Sequence, residues 1–178
     1  MEKKNMARKK EIKPKRNWSN ICHYSSDIEK VKNLNEIYRF VYFKPKKYHH
    51  EPDRAEWIYI DISLDELLNY DSDLRKAQRI IAANYEFIAR LRCTGIKDKF
   101  GNLMFEGDIT ECKLGSNNYE TGCVTYCSQK GGYSKGYTDI GSYQKYTEIV
   151  GDIFATPELD WPRGTHLKEF GVDKLQEL

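Results

Sequence analysis

Apolar residues recur along this chain with two different periods. In "NLNEIYRFVYF" the run ending in Ile37, Phe40 and Tyr42 alternates as a half-buried strand does. "EWIYIDIS", Glu56–Ser63, alternates more strictly, with Trp57, Tyr59 and Asp61 on one face and Ile58, Ile60 and Ile62 on the other. The connection between them, "KPKKYHHEPDRA", is polar and holds two prolines, so the pair reads as a hairpin with an extended tip. Helical spacing then takes over. Ser63 caps "LDELL", with Asp65 and Glu66 in the first turn, where the helix dipole favours acids. Ser72 or Asp73 opens "DLRKAQRIIAANYEFIARLR", in which Leu74, Ala77, Ile81, Tyr85, Ile88 and Leu91 form one stripe. That pattern predicts a single long amphipathic helix.

Beyond it the period returns to two and the segments shorten. "DKFGN" supplies Asp98, Gly101 and Asn102 for a tight turn. "LMF" is a brief strand, "EGD" a second turn, and "ITECKL" and "CVTYCS" are strands. "QKGGYSKGYTDIGS" reads as a mobile loop, "YQKYTEIVGDIF" as a last strand, and "HLKEFGVDKLQEL" as a short helical tail. The expected class is α+β: a small, strongly curved antiparallel sheet or partly open β-barrel with one main amphipathic helix. The expected organisation is a disordered basic arm over 1–17, an N-terminal α+β region over 18–92, and a β-rich region over 93–178.

Composition adds to this picture mainly through tyrosine and charge. Of 178 residues 39% are hydrophobic, and 13 are Tyr, a side chain that buries area while keeping a polar tip. Residues 1–16 carry eight Lys/Arg against two Glu, a net charge of +6, whereas the remainder carries −4. Such an arm is drawn to phosphate without reading sequence, or serves as a solubilising tail. The charged N-terminus has no following apolar run, and no stretch is long enough to span a bilayer, so a cytoplasmic protein without a membrane partner is expected. The five cysteines then read as reduced thiols. Cys123 and Cys127 have a spacing that suits a metal, but alternation in "GCVTYCS" puts them on one strand face as small core residues, and neither a metal nor a cofactor is expected.

Two motifs carry a resemblance. "TGIKDKFGNLMFEGDI" keeps Thr94, Gly95, Lys97, Asp98, Lys99, Gly101, Glu106, Gly107, Asp108 and Ile109 of a pattern known in YopX-like proteins of phages and prophages. "EIVGDIFATPEL" is similar to the closing element of the same family at Gly151, Ile153, Phe154, Pro157, Glu158 and Leu159. Cys93, Phe100, Asp152 and Ala155 depart from it. The likeness covers about residues 91–160. It implies a mixed fold with a small barrel-like sheet and a mobile-element origin, and it brings no catalytic set with it.

Chemistry is sparse. Glu106 and Asp108 point to one face of an extended segment and could hold a divalent cation, against the simpler reading of turn acids that satisfy backbone donors. Tyr48, His49 and His50, with Lys44, Lys46 and Lys47 before them, form the best nuclease-like cluster. Lys130, Tyr133, Lys135 and Tyr137 interleave rings and cations with glycine, a composition suited to recognition or to stacking on single-stranded bases. The reading that results is a non-enzymatic phage accessory protein. It binds a host protein or ribonucleoprotein, with nucleic acid met through the basic arm, and inhibits an RNA-guided or other nucleic-acid-directed defence nuclease. The alternatives are a small RNase using His49 or His50, and a phage DNA-binding regulator.

Overall fold

The computed structural model describes residues 21–25, 33–44, 56–116, 118–136, 138–160, 166 and 170. The expected basic arm, most of the Lys44–His50 finger and the C-terminal tail lie outside them.

Among the described residues the strands form two sheets of five. The first has the order β1 (Ile21–Ser25), β3 (Glu56–Ser63), β2 (Ile37–Lys44), β4 (Glu86–Lys97), β5 (Leu103–Phe105). β1 runs parallel to β3, and the other pairings are antiparallel. The second has the order β10 (Thr147–Asp152), β6 (Asp108–Lys113), β7 (Tyr119–Cys127), β8 (Gly132–Lys135), β9 (Thr138–Asp139), antiparallel throughout. Three helices are short: α1 (Leu64–Leu68), α2 (Asp73–Asn84) and α3 (Ile140–Tyr143). Among the described residues the chain is therefore mostly β, and its sheets are open; they do not close into a barrel.

The β2–β3 hairpin follows the alternation in its sequence. Ile58, Ile60 and Ile62 join Phe40 and Tyr42 in a cluster that Ile81 of α2 covers, with Leu67 and Leu74 at its margin. The opposite face, Ile37, Val41 and Tyr59, packs with Leu91, Phe105, Ile109, Cys123, Ile153 and Phe154, so it joins the first sheet to the second. The first sheet is thus covered by helices on one side and by strands on the other. The Ser caps also form: Ser63 Oγ accepts from the Glu66 amide at 3.3 Å and Ser72 Oγ from the Arg75 amide at 3.1 Å.

Two sequence expectations are overturned. The long helix stops at Asn84, and Glu86 begins a 12-residue strand. In that strand Ala89, Leu91 and Cys93 are buried alternately, and β4 fills the free edge of β2; the gain in sheet pairing and burial outweighs the helical spacing of Ile88 and Leu91. The strand also runs unbroken across residues 92 and 93. The second correction is the glycine-tyrosine loop, which folds back as β8 on β7 and then as β9 on β8. Gly131 and Gly136, at φ +63° and +54°, make its corners.

The last strand ends in a close approach of backbone and side chain. Thr156 Oγ1 accepts from the Asp152 amide and donates to the Asp152 carbonyl, both at 2.9 Å. A Cβ on Gly151 would lie 2.0 Å from that hydroxyl. We expect Gly151→Ala to lower stability by about 2 kcal/mol, measured by urea unfolding. Gly101→Ala, with open space at its Cβ position but φ +88°, isolates backbone strain alone and should cost about 1 kcal/mol.

Candidate functional site

Of the motif residues, Thr94, Asp98, Asp108, Ile109, Ile153 and Phe154 are buried, whereas Lys97, Lys99, Gly101 and Glu158 are exposed. Asp98 opens the turn before β5: its Oδ1 accepts from the amides of Phe100 and Asn102 at 2.9 and 2.8 Å. Its Oδ2 accepts from the Asn102 side chain at 3.1 Å and from the Ile149 amide at 3.4 Å, which ties that turn to β10. Glu106 Oε2 accepts from the Arg92 amide at 3.1 Å. Asp108 Oδ2 accepts from the Phe105 amide at 2.8 Å. Glu106 and Asp108 each bond a backbone donor, as turn acids do. Gly107, at φ +82°, turns the chain between them, its amide on the Val124 carbonyl and its carbonyl on the Ile153 amide.

At the centre is Arg39, a residue the sequence reading did not single out. Nε and one terminal nitrogen grip Asp61 at 2.7 and 3.0 Å, and the other terminal nitrogen reaches Asp108 Oδ1 at 3.0 Å. The guanidinium carbon lies 3.9 Å from the centroid of the Phe105 ring. Nearby, Tyr59 donates its hydroxyl to Asp152 Oδ1 at 3.0 Å, and the amides of Phe154 and Ala155 donate to the same oxygen. Three buried carboxylates thus face one cation. Burial opposes the Arg39 charge, but Asp61 and Asp108 outweigh it and hold the guanidinium protonated. Burial pushes Asp108 up to about 7, against the pull of Arg39 and the Phe105 amide, and raises Asp152 in the same way. Burial, with Asp152 beside it, lifts Tyr59 well above its ordinary range. The cluster is saturated with internal partners and stands as an inter-sheet clamp.

The candidate binding residues are dispersed. Lys44 is exposed at the end of β2, its ammonium 5.6 Å from the Tyr85 ring centroid. Lys46, Lys47, Tyr48, His49, His50 and Tyr137 lie outside the described residues. Lys130 is exposed on the β7–β8 turn, and Tyr133 packs edge-on against Tyr126. Lys135 is buried: its amine donates to the Glu120 carbonyl at 2.7 Å, and its stem crosses Gly122. Burial lowers its pKa. Its ammonium therefore ties β8 to β7 from within and does not face solvent.

Exposed rings carry cations elsewhere too. Tyr70, 62% exposed, is flanked by Arg79 at 4.5 Å and Arg75 at 5.6 Å, with Leu68 and Ile80 exposed nearby in sequence. Lys113 stands over Tyr119 and Lys99 over Phe100. The sequence signal for the first group lies in Arg75 and Arg79, which fall outside the apolar stripe of α2.

A model of the YopX protein family matches residues 3–159. The match thus extends well to the N-terminal side of the two motifs that carried the resemblance. The crystal structure of protein EF1440 from Enterococcus faecalis is similar at 22% identity over 66% of this chain and 74% of that one, with a TM-score of 0.33. No curated protein matches significantly.

Two outcomes test the clamp. Arg39→Met leaves Asp61 and Asp108 buried without their cation and should cost about 3–5 kcal/mol in urea unfolding at neutral pH. The second concerns sign. A carboxyl whose folded pKa is raised binds its proton more tightly in the folded state, so its contribution is fully present below about pH 4 and is lost as pH rises through about 7. The stability of the wild type relative to Asp108→Asn should therefore fall between about pH 4 and about pH 7. A relative stability that climbs over that window would mean that Arg39, and not burial, governs the group.

Proposed function

The chain belongs to the YopX protein family and is a phage- or prophage-type protein, and on that premise we propose that it binds a host macromolecule and inhibits a host nucleic-acid-directed defence nuclease, in particular an RNA-guided one. One observation supports this reading above others: the acids of the motif are committed to backbone amides and to Arg39, whereas rings paired with cations stand on the surface. A protein organised in this way supplies a stable scaffold and leaves contact to its periphery. Exposed tyrosines beside Arg or Lys suit both the protein and the RNA faces of a ribonucleoprotein, since the rings supply area and stacking while the cations meet phosphate.

The reading assigns contact to the finger that starts at Lys44 and continues through Lys46, Lys47, Tyr48, His49 and His50, and to the hairpin bearing Lys130 and Tyr133. Lys135 supports that hairpin from inside. The basic arm adds a salt-dependent attraction for nucleic acid.

The test is cleavage of target DNA by a panel of guide-loaded nucleases with the full-length protein added. One member should lose activity near equimolar protein, and Lys44→Glu/Lys46→Glu/Lys47→Glu should weaken that inhibition by about tenfold or more. Unchanged cleavage across the panel would sink the nuclease reading. Labelled RNA incubated with the protein alone covers the enzymatic alternative: cleavage that disappears in His49→Ala/His50→Ala would replace inhibition with RNase chemistry.

A further inference from the structure

Three residues of different chemistry converge where β7 meets the chain after β10. Cys123 lies near the middle of β7, opposite Ile109 of β6. Asp160 ends the turn formed by Pro157–Leu159, and His166 follows it. One sulfur, one carboxylate oxygen and one imidazole nitrogen from these residues all lie within 4.8 Å of one another. Cys123 and Asp160 are each 1% exposed, and His166 is partly buried. The Asp160 carboxylate closes a small ring with His166: Oδ1 is 2.7 Å from Nδ1, and Oδ2 accepts from the His166 amide at 3.4 Å.

We propose that Cys123, Asp160 and His166 ligate a divalent transition metal of the zinc class. A buried carboxylate beside a thiol is costly unless a cation or a set of hydrogen bonds compensates it, and a metal compensates both groups at once. The mixed donor set selects the ion. Calcium and magnesium take oxygen ligands, whereas sulfur with imidazole and one carboxylate suits Zn²⁺. Bonds of about 2.0–2.3 Å at tetrahedral angles put donor atoms about 3.3–3.8 Å apart, so Oδ1 and Nδ1, now 2.7 Å apart, must separate as the metal enters a cluster whose donor atoms all lie within 4.8 Å of one another. The imidazole binds as its neutral Nε2–H tautomer, so the proton between Oδ1 and Nδ1 moves to Nε2, and the thiol proton is released to solvent as the thiolate forms.

The same residue types can make a nucleophile, base and orienting acid, but this thiol sits in the core beside Ile153 and Phe154 and has no face for a substrate. Cys127, half-buried and two strand positions beyond Thr125 along the same face, is not part of the cluster. A metal here fastens the segment that carries His166 onto β7. This proposal stands apart from the nuclease reading.

The experiment is titration of the full chain, stripped with chelator and reduced, with Co²⁺ under absorbance. About one equivalent should bind with a thiolate-to-cobalt charge-transfer band, and Zn²⁺ should displace it. Cys123→Ser should abolish the band, His166→Ala should weaken binding by about tenfold or more, and Cys127→Ser should change neither. If Cys123→Ser does not fold, His166→Ala decides, because its side chain is only partly buried. A folded wild type with no thiolate band, or a band that survives in His166→Ala at undiminished affinity, overturns the proposal.

Discussion

Arg39 stands where the two sheets would otherwise bury incompatible surfaces. Its guanidinium is shared between Asp61 on its own sheet and Asp108 on the other, and it lies flat against Phe105. Take it away and Asp61 and Asp108 lose their cation, while a third buried carboxylate, Asp152, remains held by Tyr59 and two backbone amides. The arrangement is expensive in desolvation and returns little net stability over an apolar core of the same shape. What it supplies is register: only one sliding position of the sheets brings a five-donor fork onto two carboxylates with a ring beneath it.

Around that clamp the corners follow. Asp98 gathers four donors, one of them from the last strand, so the first tight turn and the final strand are fixed together. Gly107 turns with positive φ so that Glu106 can reach the Arg92 amide while Asp108 points inward. Gly151 leaves room for the Thr156 hydroxyl, and that hydroxyl closes the turn which delivers Asp152. The motif residues that mark the family are thus the residues of a joint.

The sequence told the two halves of this story unequally. The faces of "EWIYIDIS" were legible, since strict alternation leaves one way to pack them, and so were the Ser caps and the turn at Asp98. The boundary at Asn84 was not. Ile81, Tyr85, Ile88 and Leu91 satisfy a helical stripe, yet Ala89, Leu91 and Cys93 satisfy a strand equally well, and only the unpaired edge of β2 decides between them. Lys130, Lys135, Tyr133 and their glycines looked like a loop because nothing local shows that β7 has a free edge waiting. Arg39 was invisible for the same reason: its partners are 22 and 69 residues away. The grouping of Cys123 with Asp160 and His166 likewise depends on the fold, whereas the Cys123–Cys127 spacing pointed elsewhere.

The bond from Tyr59 to Asp152 spans 93 residues. During synthesis the N-terminal hairpin leaves the ribosome before β6 and β10 exist, and its inner face then carries a guanidinium with only Asp61 to meet it and a phenol without Asp152. The contact between Tyr59 and Asp152 must therefore wait for β10. Topologies that depend on such distant contacts fold slowly, and until that contact forms the open sheet is exposed to chaperones and proteases of the cell that makes it.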